Sequence, residues 1–196
     1  MPRIASGAAL CFVVAFAASC ASTPPSRFYT LSPTAPAGTT TSKLSVVVGP
    51  VSIPALVDLP QIVVSAGPNQ VSIDEFNRWA SPLANNISRV VAENLVLLLG
   101  TPRVSQFQQS LNADADFRVA IEVQSFESAP GEAATLNAAW LVRRTRDGKA
   151  ETGRTTVREP ASEKGYDALA AAHSRALGRM SQDIADAIRT LDRAAP

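Results

Sequence analysis

Strict alternation in two long runs constrains this chain more than any other feature. From Asp116 to Phe126, Phe117, Val119, Ile121 and Val123 alternate with Arg118, Ala120, Glu122 and Gln124. From Ala133 to Thr145, Leu136, Ala138, Trp140 and Val142 alternate with Asn137, Ala139, Leu141 and Arg143. A period of two puts one set of side chains on a buried face and the other on an open one, the pattern of half-buried antiparallel strands. The Asp147-Gly148 pair is a hairpin turn signal, so the second run should fold back into a third strand ending near Arg158.

Shorter β-branched runs come earlier. Leu44 to Gly49 and Val51 to Ile53 predict a strand, with Pro50 forcing an edge or a bulge because proline cannot donate to a ladder. Gln61 to Ser65 and Gln70 to Phe76 form a predicted hairpin around Gly67-Pro68-Asn69, and Arg103 to Phe107 follows the first helix.

That helix is bounded by Ser81-Pro82 and Gly100, with Leu83, Ile87, Val90, Val91, Leu95 and Leu98 at helical spacing. Ser81 is the expected cap. Asn85, Asn86, Ser88, Arg89 and Glu93 fill most of the opposite face, which predicts packing on one side only. A second amphipathic helix places Tyr166, Leu169, His173, Leu177, Met180, Ile184, Ile188 and Leu191 on one stripe. The expected fold is α+β, a largely antiparallel sheet with both helices on one face and the other face open to solvent or a partner.

The N-terminus reads differently. Arg3 precedes an uncharged stretch from Ile4 to Phe16, and Ala17, Ala18 and Ser19 lead into Cys20. Ala-Ala-Ser-Cys resembles the lipobox that directs diacylglycerol onto a cysteine before cleavage, although Ala17 stands where leucine is usual. An ordinary cleaved signal and an uncleaved anchor are the alternatives; the run falls short of the roughly 20 apolar residues that span a bilayer. Residues 1–19 are thus expected to be a signal peptide. Cys20 is expected to carry an N-acyl diacylglycerol, the only non-protein group foreseen. Ala21 is not the aspartate that in many Gram-negative bacteria retains lipoproteins at the inner membrane, so the expected address is the periplasmic face of the outer membrane.

Residues 20–43 are rich in Pro, Ser, Thr, Ala and Gly, a composition that cannot order itself, and are read as a tether able to hold the domain several tens of ångströms from the membrane. Arg27 to Leu31 is the exception, a predicted short strand docked on the domain. Residues 44–196 are the single predicted domain.

Composition excludes whole function classes. Lys and Arg total 18 and Asp and Glu 17; Arg3 leaves with the signal, so the mature chain is balanced, unlike a nucleic-acid binder with its basic stripe. Cys11 leaves with the signal and Cys20 would be acylated, so no thiol remains for a disulfide, a nucleophile or a metal. His173 is the one histidine, which argues against most zinc sites, and its place on an apolar helix face predicts an interior residue. Asp114 and Asp116 are read as solvated loop carboxylates. Neither a Gly-x-Ser-x-Gly elbow nor a phosphate loop occurs. The chain is not expected to be an enzyme.

Several segments together resemble a known family: Cys20, Phe28-Tyr29-Thr30-Leu31, Val48-Gly49-Pro50-Val51, Val57 through Val63, Glu75 through Leu83, Ala92-Glu93-Asn94-Leu95 and the closing helix. Their order and spacing are similar to the ABC-type transport auxiliary, or PqiC-like, lipoproteins. The resemblance implies an outer-membrane lipoprotein that assembles as a homo-oligomer. It further implies work with an MCE-domain protein and an inner-membrane permease and ATPase, in lipid transport across the periplasm that supports envelope integrity. Val57, Asp58, Leu59, Phe76, Arg78 and Trp79 are the candidate partner interface, since aromatic residues beside arginine are favoured at hot spots. The residues leave a second reading open, in which Phe76 and Trp79 are core, Arg78 pairs locally and the Val57 loop is a packed crossover. Trp140 is expected in the core. An alternative function is a lipid carrier holding its cargo between helices and sheet.

Overall fold

The computed structural model describes residues 24–38, 41–107, 114–163 and 165–194. The class is α+β. Along the chain run β1 (Arg27–Tyr29), β2 (Val46–Ser52), β3 (Gln61–Gly67), β4 (Gln70–Trp79), α1 (Leu83–Leu99), β5 (Val104–Gln106), β6 (Phe117–Ala129), β7 (Ala133–Arg144), β8 (Ala150–Pro160) and α2 (Tyr166–Arg193). The strands form two sheets, a five-stranded one in the order β5-β2-β6-β7-β8 and a three-stranded one in the order β1-β4-β3. The long pairings, β6 with β7 and β7 with β8, are antiparallel as the alternation predicts.

What the alternation did not disclose is the parallel part. β2 pairs in parallel with both β5 and β6, and β1 in parallel with β4. Val46, Val47, Val48 and Gly49 are buried in succession, the signature of a strand covered on both faces rather than one. Pro50 sits where the β2–β6 register shifts between Val48 and Val51, so the bulge, not an edge, accommodates it.

A second register shift lies in β6 between Val123 and Ser125. It turns Phe126 and Ser128 inward. There the His173 ring stacks on Phe126 at 3.7 Å between centroids, and its Nε2 lies 2.8 Å from Ser128 Oγ. His173 is fully buried, and burial pushes its pKa down to about 3, so it is neutral. The interior position expected from its helix face is correct.

α2 lies over β7 and β8 and α1 over β2 and β5. The space between helices and sheet is filled: Leu136, Val142, Leu177, Met180, Ile184 and Ile188 are all closed to solvent. Trp140 is in this core, its Nε1 donating to Thr155 Oγ1 at 3.1 Å while Thr155 donates to Asp183 at 2.5 Å. It lies flat on Gly153, where an added Cβ would fall 2.1 Å from the indole. Arg144 is equally buried. Its guanidinium pairs with Asp147 at 2.6 Å and donates to the carbonyl of Leu191, closing the C-terminal end of α2 onto the β7–β8 turn. That pairing holds the Asp147 carboxyl at about 2.

Two expectations about α1 need correction. Pro82, not Ser81, stands at the helix cap position, with no side-chain cap bond, and Gly100 closes the other end in the left-handed region. The polar face is not left to water either, for Asn86, Ser88 and Asn94 are buried. Ser88 donates to the carbonyl of Val48. Asn94 donates to Ser181 on α2 at 3.2 Å, and its oxygen accepts from the backbone nitrogens of Thr34 and Ala35, each at 3.0 Å.

Those last bonds overturn the tether reading for residues 30–38. This stretch is a strap laid along the seam of α1 and α2. Leu31 is fully buried, the Ser32 nitrogen donates to Ser174, Thr34 Oγ1 donates to the Ser174 carbonyl, and the Gly38 nitrogen donates to the Leu97 carbonyl. Gly178 and Gly38 permit the close passage: a Cβ on Gly178 would lie 2.4 Å from Thr34 Oγ1, and one on Gly38 would lie 2.5 Å from the Leu98 carbonyl. A Pro/Ser/Thr-rich stretch with little apolar surface of its own orders because two helices supply its hydrogen-bond partners.

Candidate functional site

Three of the segments that carry the family resemblance, Phe28 to Leu31, Val57 to Val63 and Glu75 to Leu83, meet at the three-stranded sheet. β1 lays Arg27, Phe28 and Tyr29 beside Asn77, Arg78 and Trp79 of β4. Gln61 of β3 pairs with the same Arg78, yet two residues on Val63 pairs with Ile73, so β4 carries a wide bulge over residues 74–77. Asp74 builds that bulge. One carboxylate oxygen accepts from the Phe76 nitrogen at 2.8 Å, and the other accepts from Asn77 Nδ2 at 2.6 Å and from the Tyr166 hydroxyl at 3.3 Å. The Tyr29 hydroxyl donates to Asn77 Oδ1 at 2.9 Å.

The network ties β1, β4 and the first residue of α2 together. The backbone bond from Phe76, with the Asn77 amide next, lowers the Asp74 pKa below the usual carboxylate range. Desolvation, with Asp74 beside it, raises that of Tyr166. Asp116 plays a similar part at the start of β2, accepting from the Ser45 nitrogen and hydroxyl, both at 2.7 Å. Burial opposes its ionisation, but those bonds and the nearby Arg103 and Arg146 outweigh it, and its pKa is lowered. Asp116 is exposed in the loop before β6, as expected, and its bonds to Ser45 also make it a clamp on the start of β2.

The six candidate interface residues are divided by this geometry. Trp79 is only 6% exposed and meets Phe126 edge-on at 6.2 Å, so it belongs to the core. Val57 is buried too, its nitrogen closing a turn onto the Pro54 carbonyl at 3.0 Å. Leu59 is partly buried against the core. Asp58 is exposed, Phe76 half-buried. Arg78 is half-buried and held locally, Nε donating to the Glu75 carbonyl at 2.7 Å and a terminal nitrogen reaching the Glu75 carboxylate at 3.3 Å. The surface this leaves is Asp58, Phe76 and Arg78, with two residues the sequence pattern passed over: Leu56, 54% exposed on the same loop, and Phe28, 65% exposed beside Arg78. A hydrophobic strand residue facing water is what could have marked Phe28. Ala17, Ala18, Ser19 and Cys20 lie outside the described residues.

Elsewhere, an apolar depression of about 400 Å³ opens beside Pro50, Ala120, Leu141, Trp140 and Gly153. Among the described residues, no group of three or more His, Cys, Asp or Glu side chains is placed to hold a metal, and no helix is long and apolar enough to cross a membrane.

The family model for the ABC-type transport auxiliary lipoprotein component matches residues 29–185. The chain belongs to that family. Residues 29–185 include the last residue of β1, the whole strap, strands β2 to β8, α1 and most of α2, so the match covers the architecture just described. Two crystal structures share the fold of this transport auxiliary lipoprotein. One, of an uncharacterized protein, is 21% identical with a TM-score of 0.69, covering 84% of this chain and 99% of that one. The other, protein XCC0632 from Xanthomonas campestris, is 20% identical with a TM-score of 0.70, covering 86% of this chain and 99% of that one. No curated protein matches the sequence.

Proposed function

We propose that this transport auxiliary lipoprotein is a non-enzymatic fitting. It is acylated at Cys20, held on the periplasmic face of the outer membrane, and docks an MCE-type lipid conduit driven by an inner-membrane permease and ATPase. The observation that carries the proposal is the pairing of β1 with β4. Because Arg27 is held beside Asn77, the stretch between Cys20 and Arg27 spans at most about 25 Å. A lipid on Cys20 then moors the domain nearer the bilayer than a tether of the whole 20–43 stretch would, which suits a collar on which other proteins seat. Several acyl chains, each methylene worth about 0.8 kcal/mol, make such an attachment lasting. Assembly as a homo-oligomer belongs to the same reading.

The carrier alternative needs room for an acyl chain between helices and sheet, where Leu177, Met180 and Ile184 already pack without gaps to solvent. The test is fractionation of the native protein beside Cys20→Ser, with mass spectrometry of the N-terminal peptide and affinity purification from membranes. Acylated peptide, loss of membrane association in the variant and co-purification of an MCE-domain protein are expected. Identical fractionation of both forms, with no fatty acid on the native chain, would refute the proposal.

A further inference from the structure

The β3–β4 hairpin is anomalous for its composition. From Gln61 to Ile73 it carries no Asp, Glu, Lys or Arg, in a chain that is 18% charged. Its outer half is exposed on both faces, from Ser65 through Ile73, and Val71 and Ile73 remain 43% and 44% exposed. The cross-strand pairs Val63 with Ile73 and Ser65 with Val71 put these side chains on one face. An uncharged ribbon with two exposed apolar side chains on one face, bordered at its tip by Glu127, Glu132 and Arg158, is a candidate contact surface.

Where the chain enters says what it contacts. β1 runs parallel to β4, with Arg27 beside Asn77, so the N-terminal end of β1 faces the side of the hairpin tip. Gln70, at the tip, precedes Asn77 by seven residues, but the bulge sets five steps of β4 against two of β3, so the straight distance is roughly 13–20 Å of strand. The leader from Cys20 to Arg27 is also seven steps, at most about 25 Å. A lipid on Cys20 thus holds the bilayer within about 12 Å of the tip even when the leader is fully stretched, and slack brings the two into contact.

We infer that the Gln61–Ile73 hairpin is a membrane-contacting wedge. It seats Pro68, Val71 and Ile73 at the boundary of headgroups and acyl chains in the leaflet that holds the lipidated Cys20. The Ser65–Val71 and Gly67–Gln70 pairs satisfy the inner ladder groups near the tip, while the outer edge of β3 is open, so the backbone stays among hydrated headgroups and only side chains reach the acyl boundary. No basic cluster accompanies the hairpin, so its contact is apolar and does not depend on anionic lipid. Lipid and hairpin together fix the orientation of the domain, which a lipid on a free linker cannot do. This inference rests on the acylation of Cys20 proposed above.

The mature lipidated protein has no thiol besides Cys20, so a single polarity-sensitive fluorophore can be placed by Asn69→Cys at the tip, or by Thr190→Cys at the far end of α2. Both are reconstituted in vesicles of phosphatidylethanolamine and phosphatidylglycerol containing brominated acyl chains. Quenching of the Asn69 probe by at least about twofold, none at Thr190, and release of the quenching by Val71→Glu with Ile73→Glu are expected. Protein that floats with the vesicles while both probes stay unquenched overturns the wedge and leaves the anchor standing. Protein that does not float overturns both. Shielding of the Asn69 probe only after an MCE-domain protein is added assigns the hairpin to a protein partner and overturns the membrane contact.

Discussion

The side-chain oxygen of Asn94 lies 3.0 Å from the backbone nitrogens of both Thr34 and Ala35, about sixty residues away in the chain. One buried amide on α1 therefore holds the strap against the two helices. Asn94→Ala removes the acceptor for both N–H groups and the donor to Ser181. Since the strap backbone can regain water by lifting, the cost should be about 1–3 kcal/mol, below that of a sealed core defect. Hydrogen exchange is expected to quicken first over residues 32–38, with the β6–β8 core unchanged at low denaturant. Uniform loss of protection would show that the strap is not a separable unit.

Gly178 provides a test with a sign. In an exposed helix, Gly→Ala stabilises by about 0.8–1 kcal/mol, but here the new methyl would meet Thr34 Oγ1 at 2.4 Å. Gly178→Ala should therefore destabilise, by about 1–2 kcal/mol. Thr34→Ala in the same background should restore most of the loss, a coupling that urea titration of the double-mutant cycle reads directly. Additive effects would mean that the strap does not cross the helix there.

His173 makes stability depend on pH. Its folded pKa of about 3 lies below the unfolded value near 6.5, so the native state resists a proton that the unfolded chain accepts. Its contribution is whole above about pH 6.5 and falls as the pH drops towards 3, at up to roughly 1.4 kcal/mol per unit. Urea midpoints at pH 7, 6, 5 and 4.5 should decline for the native protein and flatten for His173→Phe. Parallel slopes would place the titration on other groups.

The candidate interface separates into two kinds of substitution. Trp79→Ala should cost about 3–5 kcal/mol because it empties a core site against Phe126. Leu56→Ala, Asp58→Ala and Arg78→Ala lie at the surface and should each change stability by under about 1 kcal/mol. If this face docks the conduit, those three variants weaken co-purification of the MCE-domain protein while melting like the native form. Unchanged recovery by all three would move the docking surface elsewhere.

Local chemistry in the sequence was enough to determine the long antiparallel strands, both helices, the hairpin turns and the inward His173, and it narrowed Pro50 to an edge or a bulge. Each depends on periodicity or on the dihedral limits of proline and glycine, which act over a few residues. The converging family segments were legible as an ordered series, but not as the Asp74–Asn77–Tyr29–Tyr166 network they build, whose members lie up to 137 residues apart. Only the tertiary structure decided that the sheet divides in two, that β2 is parallel to its neighbours, that Trp79 and Val57 are core, and that residues 30–38 are strap. The reason is common to all four. Composition reports how much apolar surface a segment brings, whereas order depends on what the rest of the fold offers it, and for the strap that offer is Asn94, Ser174 and the missing side chain of Gly178.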